Sequence, residues 1–193
     1  MQNKIIFSLI LLLFTALSSC LPEEKTITPK PLGYFRLPEP EKAYQRYDSL
    51  CPFIFEYPVY SHITPYKDPA KTCWFDIQFP LHNATLHLSY EAMKQNPKVY
   101  LEDSRTLVYS HTVKASGIVE FPVKDPEHSV YGILYKIEGD VASNYQFHLT
   151  DSTQHFLRGS LYFNTRTNLD SISPALAFLS KDVDHLVQTL RWK

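Results

Sequence analysis

Glycine is scarce in this chain of 193 residues, at 5, and methionine and tryptophan number only 2 each. So little glycine argues against a scaffold dominated by tight loops, which need positive φ repeatedly. Charge of one sign is also missing. Nineteen basic residues stand against 20 acidic ones, a formal net charge of −1. That excludes a broadly basic nucleic-acid binder, though not a local patch. Only one long apolar run occurs, which excludes a multi-span membrane protein. A composition 44% hydrophobic and 20% charged excludes general disorder. Catalytic signatures are absent too: G-x-S-x-G, G-x-G-x-x-G, a P-loop and H-E-x-x-H are found nowhere. The histidines, at 62, 82, 87, 111, 128, 148, 155 and 185, include no i,i+4 pair, and no C-x-x-C spacing exists. No metal site, cofactor or catalytic residue is assigned. What the chain has in quantity is aromatics, 14%, which fits a packed sheet.

Residues 1–20 read MQNKIIFSLILLLFTALSSC. Lys4 precedes the apolar run Ile5–Leu13, continued by Phe14–Leu17, a secretory signal too short for a comfortable membrane span. Leu17-Ser18-Ser19-Cys20 resembles the bacterial lipobox, in which the cysteine sulfur receives a diacylglycerol and cleavage leaves Cys20 first. Residues 1–19 are thus expected to be a lipoprotein signal peptide. Residues 20–32 are the lipidated Cys20 and a Pro-rich tether, and 33–193 a single globular domain. Several acyl chains exceed the two-signal requirement for stable anchoring. The expected location is the cell envelope, lipid-anchored with the outer membrane favoured, the domain in the periplasm or, second, at the cell surface. Cys51 and Cys73 then share an oxidising compartment, where an even remainder favours one disulfide.

Along the domain, Gly33–Leu37 opens the fold and Lys42–Asp48 allows a short helix. Phe53–Tyr57 reads as a strand ended by Pro58, and Val59–Lys71 as a loop. Cys73–Phe79 and Ala84–Tyr90 alternate as half-buried strands, and the short link Pro80–Asn83 makes them a hairpin. Leu101–Ser116 reads as a helix closed by Gly117, with Glu102 and Asp103 at its positive end. Four strands follow: Gly117–Val123, Val130–Glu138, Tyr145–Thr150 and His155–Phe163. Ser173 caps a last helix with Pro174 at its first position. Leu176, Leu179, Val183, Leu186, Val187 and Leu190 make one apolar stripe on it, Asp182 and Asp184 face away, and Trp192 packs back on the sheet. The class is α+β: a mostly antiparallel sheet of about six to seven strands carrying two main helices.

The densest polar constellation is the hairpin 144–162, turning at Asp151–Thr153. Tyr145, Phe147 and Leu149 must share a face with Leu157, Leu161 and Phe163, which a three-residue turn achieves by setting 147 opposite 157. Asn144, Gln146, His148, Phe156, Arg158 and Tyr162 then fall on the other face. That face is either the solvated side of a half-exposed hairpin or a docking surface. As a docking surface it would rely on the Arg158 guanidinium as an exposed donor fork flanked by Phe156 and Tyr162.

Gly33-Tyr34-Phe35-Arg36-Leu37, Cys51-Pro52-Phe53, Phe55-Glu56-Tyr57-Pro58, Cys73-Trp74 and His87-Leu88-Ser89-Tyr90 run in order along the chain. So do Glu102-Asp103-Ser104-Arg105, Tyr131-Gly132, the hairpin from Ala142-Ser143-Asn144 to Phe163, and Trp192-Lys193. Together they resemble the gliding motility lipoprotein GldD family of Bacteroidetes. The resemblance implies a non-catalytic envelope lipoprotein of the gliding motility and type IX secretion-associated machinery, with other envelope proteins as partners and no nucleic acid. Two other classes stay open: an envelope hydrolase or isomerase using the polar face of hairpin 144–162, and a glycan-binding lipoprotein. Asp48-Ser49-Leu50, Asp151-Ser152-Thr153 and Asp170-Ser171-Ile172 also resemble the Asp-Ser/Thr motif for O-glycosylation in Bacteroidetes envelope proteins. Asp-Ser is equally common turn and cap chemistry.

Overall fold

Strand alternation and one amphipathic helix organise the computed structural model, which describes residues 39–68 and 70–193. The elements in order are β1 (Tyr44–Asp48), β2 (Phe53–Pro58), β3 (His62–Pro65), β4 (Phe75–Phe79) and β5 (Ala84–Ala92). Then come α1 (Pro97–Tyr109), β6 (Ala115–Asp125), β7 (Val130–Gly139), β8 (Tyr145–Thr150), β9 (His155–Phe163), α2 (Leu169–Thr189) and β10 (Arg191–Trp192). The expected signal peptide 1–19, Cys20, the tether 20–32 and the opening segment Gly33–Leu37 lie outside the described residues.

The fold is α+β. A seven-stranded sheet runs β3-β4-β5-β9-β8-β7-β6, and a three-stranded sheet runs β1-β2-β10. Every pairing is antiparallel. On one face of the large sheet, Phe75, Ile77, Leu86, Leu88, Phe147, Leu149, Leu157 and Leu161 meet the α2 stripe and the aromatics Phe53 and Phe55 of β2. All six residues of the expected stripe, Leu176 to Leu190, are in this core. Trp192 pairs opposite Phe53 and stacks on His155, so the chain end closes on the sheets as expected.

Two glycines allow close approach. A Cβ on Gly132 would sit 1.9 Å from the carbonyl oxygen of His148. One on Gly159 would sit 2.2 Å from the buried Phe147 ring.

Several boundaries differ from expectation. Lys42–Asp48 is no helix: Tyr44–Asp48 is β1, and Tyr47 lies beside Phe55, rings 4.8 Å apart. Half-burying these tyrosines beside β2 outweighs the one charge between them, Arg46. The loop 59–71 contains the short edge strand β3. Helix α1 starts four residues before Leu101, where Asn96 caps it by accepting from the Lys98 amide and Pro97 takes the first position. Glu102 and Asp103 therefore lie beyond its first turn, and Gly117 is no cap but part of β6, next to a bulge at Ala115–Gly117. Helix α2 starts before Ser173. Asn168 caps it through the Ser171 amide, and Pro174 sits in the second turn, where it costs only one bond to the first.

Asp182 does not face solvent, and Asp184 is half-exposed beside Tyr145. Asp182 is 2% exposed and accepts from Lys42 Nζ at 2.7 Å, Tyr44 Oη at 3.1 Å and the Tyr60 hydroxyl. Cys51 and Cys73 are joined, with Cα atoms 5.7 Å apart. Of the three Asp-Ser motifs, Ser49 and Ser152 are exposed in bends, whereas Ser171 is exposed in the first turn of α2 rather than in a loop.

Candidate functional site

Strands β8 and β9 occupy their expected ranges, but the register is two residues off expectation: Phe147 pairs with Gly159 and Leu149 with Leu157. An even shift leaves both faces as they were. The turn is longer because Asp151 organises it, its side chain accepting from the amides of Thr153, Gln154 and His155 and from the Thr153 hydroxyl. Burial would push the Asp151 carboxyl up, but these bonds prevail and hold it at about 2.

The polar face of this hairpin is not one open surface. Helix α1 lies on it, with Tyr100 beside Phe156, Ser104 over His148 and Val108 in a cluster with Tyr135 and Ile137. Asn144, Gln146, His148 and Phe156 are consequently buried. Asn144 staples the sheet by donating to the carbonyls of Ile137 and Gly139. His148 stacks on Phe156, within 3.5 Å of Ser104 Oγ and 3.4 Å of Tyr135 Oη. Its burial pushes the imidazole down to about 4. Arg158 and Tyr162 alone of the six remain partly open, and Arg158 is no freely exposed charge. Its Nη2 donates to Gln146 Oε1 at 3.0 Å, its Nε is buried without a partner among the described residues, and burial lowers its pKa.

The helices leave opposite ends of the large sheet uncovered. On the α1 face, Arg158 and Tyr162 continue into a cavity of about 350 Å³ whose other walls come from β4, β5 and the loop before β4. There His87 Nδ1 meets Asp76 Oδ1 at 2.5 Å, and the His87 ring sits edge-on to Tyr162.

On the α2 face, the β6–β7 hairpin stands clear of the helix and forms a cleft of about 960 Å³. Phe121, Val123 and Leu134 make one wall, and Leu176, Ala177 and Val187 the other. At its floor Tyr145 Oη donates to Asp184 at 2.6 Å. Burial raises both groups, the Asp184 carboxyl despite the tyrosine bond and Tyr145 further through that carboxylate. Phe121 is 48% and Val119 42% exposed beside the cleft. Of hairpin 144–162 only Tyr145 lines this cleft. Its signal was small residues at helical spacing on α2, Ser173, Ala177 and Ser180, facing an apolar strand Val119-Phe121-Val123.

Among the described residues, no cluster of three or more His, Cys, Asp or Glu could hold a metal ion, and no helix is long and apolar enough to cross a membrane. A family profile described as gliding motility lipoprotein GldD matches residues 24–192. No curated protein sequence matches the chain. Among solved structures, the chain is similar in fold to the solution structure of cyanobacterial PsbP (CyanoP) from Synechocystis sp. PCC 6803. The TM-score is 0.50 at 10% identity, covering 85% of this chain and all of that one.

Proposed function

This chain belongs to the gliding motility lipoprotein GldD family, and we propose that it acts without catalysis, as an envelope lipoprotein that docks other proteins of the gliding and type IX secretion-associated machinery. Cys20 carries the lipid, so the domain works at a membrane surface that it does not cross. The observation that carries the docking reading is the cleft between α2 and the β6–β7 hairpin, large, with apolar side chains on both walls among the charges of Lys124, Asp125, Lys136 and Glu138, and edged by exposed Phe121. Concave apolar surfaces with a few convergent polar groups are where partners and ligands bind. Strand addition to the edge strand β6 is disfavoured by Pro122, so the fitting partner inserts apolar side chains, as an amphipathic helix does.

The non-catalytic reading is supported by where the serine–histidine approach lies. Ser104 of α1 and His148 of β8 approach within 3.5 Å, but both are buried in the seam between helix and sheet. The test is Ala177→Trp, which fills the cleft from an exposed position and should leave stability within about 0.5 kcal/mol. Cells carrying it should make normal amounts of the protein yet spread or secrete like a deletion strain. Normal spreading and secretion from the filled cleft would refute this use of it.

A further inference from the structure

We propose that the cavity beside Arg158 is a binding site for an acidic sugar ring, a uronate, held by its carboxylate. Arg158 sits on β9, between Ser89 of β5 and His148 of β8. Among the described residues its guanidinium has one hydrogen-bond partner, the neutral amide oxygen of Gln146, and no ion-pair partner. A half-buried cation without a counter-charge is costly. The nearby carboxylates are engaged elsewhere: Asp76 with His87, and Glu91 with Lys71. Among the described residues Gln146 Nε2, outside the cavity lining, is also buried without a partner. The Arg158 guanidinium, which lines the cavity, is therefore short of one anionic acceptor, and a planar fork matches a carboxylate.

The other walls narrow the ligand. Trp74, Tyr66 and Tyr162 supply flat apolar surfaces for the C–H faces of a ring. Ser89, Ser160 and the His87–Asp76 pair line the same space and offer donors and acceptors for hydroxyl groups. An aromatic acid would leave those polar groups unpaired, and a phosphate dianion would set its second charge against Asp76. At about 350 Å³ the cavity has room for one ring. The site lies on the face of the sheet opposite the α2 cleft, so it adds a ligand without using the docking surface.

Glucuronate titrated into the full chain in detergent micelles, followed by saturation-transfer NMR and calorimetry, tests the proposal. Glucuronate should bind, and glucose and benzoate at least tenfold more weakly. Arg158→Gln should reduce glucuronate binding at least tenfold while still unfolding cooperatively, at a melting point no lower than the parent's. Should that variant fail to fold, Tyr66→Ala, at an exposed wall position, should weaken glucuronate several-fold. No glucuronate binding, equal binding of glucose or of benzoate, or binding indifferent to the pocket variants would each overturn the assignment.

Discussion

Lys42 Nζ lies 2.7 Å from Asp182 Oδ2, joining the segment that leads into β1 to the middle of α2. The ammonium also bonds the Phe178 carbonyl and lies over that residue's ring, 3.3 Å from its centroid. Tyr44 and Tyr60 complete the cluster, and Tyr44 is pushed up to about 12 by burial and by the Asp182 charge. This carboxylate is the polar pin that fixes the start of the described domain against its longest helix.

Removing one member should therefore cost far more than a surface ion pair. Asp182→Ala leaves the Lys42 ammonium and two phenols without their acceptor, and should lower stability by about 3 kcal/mol. Replacing both charges, Lys42→Met with Asp182→Leu, should recover a large part of that. Urea unfolding of the two variants decides it, and equal losses in both would contradict the pairing.

The pH dependence follows from His148. Its pKa is about 4 in the fold against about 6.5 unfolded, because burial under α1 disfavours the cation. Its contribution is fully present above about pH 6.5 and is lost as pH falls toward 4, to a total of roughly 3 kcal/mol. Comparing unfolding midpoints at pH 7.5 and 4.5, His148→Phe should show a visibly smaller drop than the parent. An identical drop would assign the acid sensitivity to other groups.

The disulfide spans 22 positions of sequence, for which chain-entropy closure gives about 3 kcal/mol. It ties the start of β2 to the turn before β4, linking the small sheet to the large one. Cys51→Ser with Cys73→Ser should lose about that much stability while keeping the fold's circular dichroism. A loss under about 1 kcal/mol would mean that the packing of Phe53 and Phe75 already restrains these ends.

Strands with apolar–polar alternation were legible, and β8 and β9 fall on their expected residues, because Tyr145, Phe147 and Leu149 alternate with polar neighbours, although β8 is buried on both faces. The stripe of α2 was legible for the same reason. Strand β1 was not, since Tyr44 and Tyr47 three apart imitate helical spacing and become a strand only by pairing with β2. Helix α1 buries just Ser104 and Val108 of its thirteen residues, so its pattern is too thin to fix its ends or its seat on the sheet. That seat decides the site. It turned Asn144, Gln146, His148 and Phe156 into interior residues and left Arg158 and Tyr162 open, a division that no local pattern encodes. Asp182 looked like a solvated charge because its partners are more than 120 positions away.

The claim that the α2 cleft docks a partner is tested most directly by a photoreactive amino acid placed at Phe121 in cells, with Val113, 90% exposed and outside the cleft lining, as the control position. The account predicts one discrete envelope protein crosslinked from Phe121, absent from Val113 and lost when Ala177→Trp fills the cleft. No adduct at Phe121, or the same adduct from Val113 and from the filled cleft, would contradict it.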